Sequence, residues 1–484
     1  MTKIFSRNVP LAAEAMLRQS GVHPLLARLY AARGIKHADE LQDRFDALLP
    51  PVSMRNCEAA AALLADYIAQ DKRLLVIADF DCDGATACAV AVRALRAFGA
   101  RVDYFVPSRE MGYGLSPDVV ELVAPLAPDL LITVDNGIAA IDAIDAANRK
   151  GIATLVTDHH LPAATLPQAA CIVNPNQSSC DFSSKCIAGV GVIYYVMLSL
   201  RAELRRRGWF QTRTEPNLAN LLDLVALGTV ADVVKLDRNN RILVSQGLKR
   251  IRAGRLNAGL RALFAVAGRD PARACAFDLG FALAPRINAA GRLANMGLGI
   301  ECLITDDTAH AFNIAQQLDA LNRERRQVEA GMQRDAEQFL VSIDTQAAGS
   351  LVLYDEKWHQ GVIGILASRL KDRHHVPVIA LAPADGDTLR GSGRSIAGLH
   401  LRDALDLVDK RAPGMLLRFG GHAAAAGLTL RKQDVDGFRL LFGAVVTEIL
   451  GGAATRSWES DGALEGAYLN LDVARLLQNE VWGQ

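Results

Sequence analysis

The sequence predicts an α/β protein in which a parallel-sheet domain is joined by a long helix to a smaller α/β domain. Three observations carry that prediction. From about residue 72 short aliphatic or β-branched runs alternate with Ala-rich stretches of helical spacing, the pattern of a parallel sheet with crossover helices. After residue 305 apolar positions keep a helical period for longer than one small domain needs, and after Gly349 the β/α alternation resumes. The chain has 484 residues, and roughly 100–200 residues per domain makes a single core too small for it.

Taken in order, residues 1–50 read as an N-terminal helical segment, closed by Pro50-Pro51. Residues 51–304 form the sheet domain, with strands expected at Leu74–Ala78, Val102–Val106, Leu130–Val134, Thr154–Thr157 and Cys171–Val173, and helices at Ala85–Phe98 and Ala139–Arg149. The longest apolar run, Cys186–Leu200, lies between Lys185 and Arg201. It is shorter than the ~20 residues that span a bilayer, so it is read as a buried helix. Thr305-Asp306-Asp307 can cap the next helix, in which Ile314, Leu318, Leu321, Val328, Met332 and Phe339 recur with helical spacing. This connecting helix, 305–342, would span on the order of 50 Å. Residues 343–452 form the second α/β domain, with strands at Leu351–Tyr354 and Val376–Leu381, a helix from about Gly361, and Gly-rich turns at Gly391–Ser395 and Phe419–His422. A third unit, 453–484, begins near Trp458 and offers two possible strands.

Composition excludes several classes. Lys plus Arg equal Asp plus Glu at 53 each, which excludes a uniformly basic nucleic-acid binder and an acidic tail protein but leaves room for a local basic groove. Of the 53 basic residues 42 are Arg, the side chain suited to forked contacts with phosphate. With 50% hydrophobic and 22% charged residues the chain reads as folded rather than disordered. The N-terminus lacks a signal-peptide apolar run. The eight Cys form no C-x-x-C pair, so free thiols in a reducing, cytoplasmic setting fit better than disulfides or a structural zinc.

The acids fall where strands end. Asp79-Phe-Asp81-Cys-Asp83-Gly84 follows the first sheet strand, Asp135-Asn-Gly137 the third, and Asp158-His159-His160 the fourth. Strand C-termini of a parallel sheet share one edge, where ligands bind, so three segments deliver five Asp and two His to one place. Carboxylates this dense repel one another and take up protons unless cations neutralise them. Oxygen ligands mixed with imidazole suit Mn²⁺ or Mg²⁺ better than zinc. The Asp-x-Asp-x-Asp-Gly run also opens an EF-hand, but the twelfth position is Val90 instead of Glu and the preceding element is a strand. Asp232, within Leu227–Val234, is flanked by apolar residues and needs either a metal or an Arg partner.

These residues resemble the DHH phosphoesterases, and among them the RecJ-type single-stranded-DNA-specific exonucleases. The first motif is Asp79 to Thr86, the second Val134 to Gly137, the third Asp158-His-His, and the fourth Val230-Ala-Asp232. Likeness continues in Gly112-Tyr-Gly-Leu115, Asn174-Pro-Asn176, Pro285 to Arg292, Trp358-His-Gln-Gly361 and Phe419-Gly-Gly-His422, covering about residues 20–484. The resemblance implies a DHH catalytic domain, a DHH-associated substrate-binding domain over 343–452, and the beginning of an oligonucleotide-binding β-barrel from Asp461. It implies two Mn²⁺ or Mg²⁺ ions held by Asp81, Asp83, Asp135, His159 and Asp232, with Asp135 bridging and Asp79 a ligand or close neighbour. His160 would act on the scissile phosphate or leaving group, and Asp158 would hold a histidine in its working tautomer. Paired ions activate water and stabilise both oxygens of an in-line displacement, so no covalent nucleophile is needed.

For substrate, the resemblance implies 5′-to-3′ hydrolysis of single-stranded DNA to 5′-mononucleotides in DNA repair and recombination. It implies a monomer working with single-strand-binding protein and a helicase, away from membranes. Arg109, Arg394 and Ser395 would take the 5′-phosphate, or the two Arg are solvated surface charges. Arg286, Asn288 and Arg292 would face the strand, with Asn288 the one better suited to a structural role. Gly420, Gly421 and His422 either hold backbone phosphates or form a glycine turn. Tyr113 and Trp358 either stack on bases or belong to the core. Hydrolysis of short oligonucleotides or cyclic dinucleotides by the same centre is the rival enzymatic reading, and a metal-free scaffold the non-enzymatic one, against which all four motifs are intact. The sequence ends at Val481-Trp-Gly-Gln484 inside the expected barrel, which predicts retained chemistry with a weaker grip on DNA. Six acids gathered under two divalent cations would also leave the Arg excess to line a strand-binding groove.

Overall fold

The computed structural model describes residues 3–108, 111, 114–340, 349–451 and 457–483. The described residues form two compact units, one from Val9–Asn322 with Ala463–Gln484, the other from Met1–Asn8 with Arg323–Gly462.

The first unit is built on five parallel strands in the order Arg101–Phe105, Arg73–Ala78, Leu130–Val134, Ala153–Thr157, Cys171–Val173. All five expected strands are present. Successive side chains of a strand point to opposite faces, and here both faces are covered. Leu74, Val76, Leu130, Ile132 and Leu155 pack under helices Cys82–Ala97 and Gly189–Arg206, while Leu75, Ile77, Leu131 and Val156 pack under helices Pro117–Val123 and Ile141–Arg149. Helix Cys82–Ala97 is buried along nearly its whole length, and its run of Ala and Gly lets neighbouring helices come close. The apolar run expected to be a buried helix is helix Gly189–Arg206, with Val190 to Met197 fully buried.

From Arg73–Ala78 the chain moves outward to Arg101–Phe105 and then back across to Leu130–Val134. The strand order reverses beside the C-terminus of Arg73–Ala78, and in open α/β sheets such a switch point opens a crevice at the strand C-termini.

The two strands expected after residue 453 reduce to one. Ser457–Ser460 pairs in parallel with Lys3–Ser6, whereas Leu471–Asn479 is a helix capped by the Asn470 carboxamide oxygen, which accepts from the Val473 N–H at 3.0 Å. Val473, Leu476 and Leu477 recur with the spacing of one helical face, and Leu476, Leu477 and Trp482 pack against the N-terminal helices Leu11–Gln19 and Pro24–Ala32. Trp482 stacks on Tyr30 with ring centres 5.1 Å apart.

The connecting helix runs from Thr308 to Leu340, 33 residues. The second unit carries a mixed five-stranded sheet in the order Leu416–Gly421, Ala425–Arg431, Thr388–Arg394, Val378–Pro383, Leu351–Tyr354, in which only the last pair is parallel. Phe438 and Phe442 of helix Val435–Leu450 stack at 5.6 Å and fill its core with Ile379, Leu381 and Leu428.

Candidate metal centre

Three strand ends and one helix end meet at the switch point. Asp79 and Asp81 leave strand Arg73–Ala78, and Asp81 caps helix Cys82–Ala97 by accepting from the Gly84 N–H at 3.0 Å. Gly84 is obligatory, since a Cβ there would lie 2.6 Å from the Asp79 carbonyl oxygen. Asp135 follows strand Leu130–Val134 in the left-handed region at φ 62°, a conformation that costs a non-glycine residue about 1–3 kcal/mol and tends to mark functional sites. Gly189 faces it, because any Cβ there would meet its Oδ1 at 2.6 Å. Asp232 ends helix Leu222–Ala231, where the helix dipole repels an anion, and is followed by Val233 at φ 67°.

The side chains converge. His159 Nε2 lies 3.1 Å from Asp135 Oδ1 and 3.5 Å from Asp232 Oδ2. Ligand atoms of Asp79, Asp81 and Asp135 fall within 4.8 Å of one another, as do those of Asp83, His159 and Asp232, and those of Asp135, His159 and His160. Asp135 therefore belongs to two of these clusters. Asp83 also accepts two backbone N–H groups at the start of helix Gly189–Arg206, from Gly189 at 2.6 Å and Val190 at 3.0 Å.

Without a cation this arrangement resists its own charge. Burial, then the charge of Asp81, pushes the Asp83 carboxyl up to about 7. Burial, then the charges of Asp83, Asp81 and Asp79, raises Asp232 to about 9, and the same causes hold Asp135 well above the carboxylate range. Burial, then the neighbouring His160 charge, depresses His159 to about 4, so its Nε2 is a neutral lone pair. His159 Nε2 and Asp232 Oδ2 are both buried without a hydrogen-bond partner. A pair of divalent ions fits this donor set, because it would ligate those atoms and offset the crowded carboxylates.

Asp158 is in none of these clusters and organises His160. Its Oδ1 accepts from the His159 and His160 N–H groups at 2.7 and 3.1 Å and meets His160 Nδ1 at 2.7 Å, while Oδ2 accepts from the Ile138 N–H at 2.9 Å. Burial opposes a charged His160, but the hydrogen bond and charge of Asp158 outweigh it and raise its pKa. The ring is half exposed, and Nε2 is the ring atom that can donate to a bound group.

The remaining sequence candidates divide. Arg109 and Tyr113 lie outside the described residues. Arg286, expected to face a strand, is buried, with Nε and Nη2 both 2.9 Å from Asp319 Oδ1 and Nη1 donating to the Ala282 carbonyl at 2.5 Å. Asn288 is structural: its Oδ1 accepts from the Cys82 N–H at 2.7 Å and steadies the first motif. Arg292 is half-buried on the same helix, Ala284–Leu293. Trp358 is 3% exposed, which removes it as a stacking surface. In the second unit Arg394 is half-buried, with Nη1 reaching the Gly393 carbonyl at 2.8 Å and Ser392 Oγ at 3.2 Å. Ser395 is buried with its hydroxyl donated to the Leu399 carbonyl at 2.8 Å, so Ser392 is the serine beside the guanidinium. Gly420, Gly421 and His422 are exposed, and Gly421 (φ 142°) leaves only 2.4 Å between a would-be Cβ and the Ala425 carbonyl oxygen.

Three asparagines that the motifs contain have supporting roles the sequence did not assign. Asn136 ties its motif to strand Arg73–Ala78 by donating to the Ile77 carbonyl at 3.1 Å, and Asn174 and Asn176 reach the two histidines. A buried polar side chain beside a charged motif is the signal that marks them. An exposed aromatic pair, Phe277 and Phe281, stacks at 4.6 Å beside an apolar cavity of about 460 Å³ that also touches Val230, Ala231, Val233 and Val234, and no basic side chain lines it among the described residues.

Comparison with known proteins agrees with this geometry. Residues 73–229 match the DHH family, N-terminal domain, and residues 346–448 the DHHA1 domain. The single-stranded-DNA-specific exonuclease RecJ of Dickeya dadantii is 53% identical over 471 residues, 95% of this chain and 81% of that protein. RecJ of Thermus thermophilus in complex with Mn²⁺ superimposes with a TM-score of 0.83 at 32% identity, over 99% of this chain and 67% of that one. Its Mg²⁺ complex gives 0.77 at 31% identity, over 99% and 66%.

Proposed function

The chain belongs to the RecJ family of DHH single-stranded-DNA-specific exonucleases, and from that membership we infer that it is a metal-dependent exodeoxyribonuclease acting 5′ to 3′ on single-stranded DNA and releasing 5′-mononucleotides. The observation that carries the reading is the pair of carboxylate and histidine clusters at the sheet's switch point, in a chain similar to RecJ structures that hold Mn²⁺ and Mg²⁺.

Asp79, Asp81 and Asp135 would hold one ion and Asp83, His159 and Asp232 the second, with Asp135 shared. Two divalent ions, when bound, supply the charge that makes water a nucleophile near neutral pH and that stabilises the attacking and leaving oxygens. Asp158 orients His160 through Nδ1 and favours its charged form, so that Nε2–H would donate to the scissile phosphate or its leaving oxygen. Arg394 and Ser392 would receive the 5′-phosphate through charge-assisted hydrogen bonds, and Arg292 would face the strand. Gly420, Gly421 and His422, exposed at the end of an edge strand, would lie against further phosphates.

The same reading places the protein in the cytoplasm, in DNA repair and recombination, as a monomer that works with single-strand-binding protein and a helicase. The eight cysteines are free of disulfides and six are buried, which is compatible with a reducing compartment. Residues 453–484 would lead into an oligonucleotide-binding barrel, for which strand Ser457–Ser460 is the supporting element.

End-labelled single- and double-stranded DNA incubated with Mn²⁺ tests the reading. Digestion of single strands from the 5′ end supports it. Equal digestion of duplex, attack from 3′ ends, or preference for dinucleotides would overturn it.

A further inference from the structure

The last backbone bond between strands Ala153–Thr157 and Cys171–Val173 is donated by the Asp158 N–H to the Val173 carbonyl at 3.1 Å. Beyond it the strands part, and the carbonyls of His159 and His160 would lose their partners. Two side-chain amides continue the pairing. Asn174 Nδ2 donates to the His160 carbonyl at 2.9 Å, and Asn176 Nδ2 to the His159 carbonyl at 2.6 Å. Asn174 is fully buried, and its Oδ1 accepts from the Asn176 N–H at 2.7 Å, which joins the two amides into one unit.

The rest of the segment is tied to the same task. Asn176 Nδ2 also reaches the Lys185 carbonyl at 3.2 Å, while Lys185 Nζ donates to the carbonyls of Pro175 at 2.6 Å and Cys180 at 2.7 Å. The Ile187 backbone carbonyl accepts a hydrogen bond from the His159 ring. The segment then enters helix Gly189–Arg206 with the two N–H groups that hold Asp83. Between its strand and its helix it has no regular structure of its own, yet its polar groups fix three residues of the metal centre.

We propose that residues 174–190 form a brace that sets the metal centre before metal arrives, with Asn176 positioning His159 for metal binding and Asn174 positioning His160 for the phosphate. An Asx turn alone would explain the bond from the Asn176 N–H to Asn174 Oδ1. It does not explain why both amide NH₂ groups cross to the adjacent carbonyls of the two histidines. Both asparagines are positioning residues, and their duties separate. Loss of the Asn176 bond frees a metal-ligating side chain, whereas loss of the Asn174 bond frees a group that acts on substrate. The proposal rests on the roles assigned to His159 and His160 above.

The test uses the full chain with Asn176→Asp and Asn174→Asp, which keep size but replace the donating NH₂ with oxygen. Mn²⁺ affinity is measured by calorimetry without DNA, and turnover of labelled single strands at saturating Mn²⁺. Asn176→Asp is expected to raise the Mn²⁺ Kd by about 10–100-fold, the usual effect of removing a group that orients a metal ligand, with turnover recovering at high Mn²⁺. Asn174→Asp is expected to leave the Kd near that of the parent and lower kcat by about 10-fold or more even with metal saturating. Equal losses in both variants, or an unchanged Kd in Asn176→Asp, overturn the proposal. If either variant fails to fold, Lys185→Met loosens the brace while keeping both amides. It should raise the Mn²⁺ Kd by a smaller factor, and an unchanged Kd there also overturns it. A parent protein that binds Mn²⁺ but leaves single strands intact would refute the nuclease reading and spare the brace.

Discussion

The two units handle polarity in opposite ways. In the parallel-sheet unit the metal-centre acids Asp79, Asp83 and Asp135 are 1–3% exposed, packed so closely that burial and mutual repulsion lift the carboxyl pKa values of Asp83 and Asp135. In the mixed-sheet unit the candidate phosphate contacts are the exposed end of strand Leu416–Gly421 with His422, and a half-buried Arg394. Fold and function are therefore coupled in the first unit, where charge persists only with a counter-ion. In the second they are separable, since exposed polar groups are solvated until substrate arrives.

The largest effect should come from breaking the first arrangement at its shared ligand. Asp135→Ala is expected to lower single-strand hydrolysis by on the order of 10³-fold or more, as loss of one member of a cooperating catalytic set does. The metal-free variant should unfold at a temperature no lower than the parent, because a buried group that resists ionisation has been removed. Nuclease assay and thermal melts in chelator read both, and retained activity, or a lower melting temperature in chelator, would contradict the coupling.

The second unit should respond in affinity alone. Arg394→Ala is expected to raise KM for 5′-phosphorylated strands by about 10–100-fold, the equivalent of a charge-assisted hydrogen bond worth about 1.5–3 kcal/mol, with a smaller effect on 5′-hydroxyl strands. Steady-state kinetics on the two substrates decide it, and equal effects would remove Arg394 from the terminus.

The difference also explains what can be read from sequence. All five sheet strands and the acids at their ends are legible, because a parallel sheet buried on both faces leaves continuous apolar runs and its strand C-termini share one edge. The long helix is legible for the same reason of period. Trp358 and Ser395 are not, since whether an indole or hydroxyl faces solvent depends on packing that no local pattern encodes. Arg286 reads as a strand-facing cation only because its partner, Asp319, lies 33 positions away on another helix. Leu471–Asn479 is a helix where a strand was expected, although Val473, Leu476 and Leu477 carry a helical period behind an Asn cap. Asn174 and Asn176 stand in a motif that the resemblance picks out, but their carbonyl partners become visible only once strand Cys171–Val173 is placed beside Ala153–Thr157.

The smallest effect is a pH slope confined to the first unit. Unfolded, Asp83 and Asp232 release their protons near the ordinary carboxylate value of 3.8, whereas folded and metal-free they hold them to about 7 and about 9. Between those limits the folded state binds more protons than the unfolded one, so stability falls as pH rises. His159 works in the opposite sense: with its folded value depressed to about 4 from the usual 6.5, the stability it contributes is lost as pH falls between those two values. A window from about pH 6.5 to 9 therefore isolates the carboxylates from it. His160, whose pKa is raised by Asp158 first and then by the charges of Asp79 and Asp81, adds to the same downward slope; Mn²⁺ should leave only the Asp158 part of it. Urea unfolding of the metal-free chain across this window should show stability falling by no more than about 1.4 kcal/mol per pH unit for each group. Saturating Mn²⁺, which fixes the carboxylates as anions, should remove most of the slope. A metal-free protein equally stable at both ends of the window would mean that the acids are neutralised from within the fold, and the contrast between the two units would then rest on burial alone.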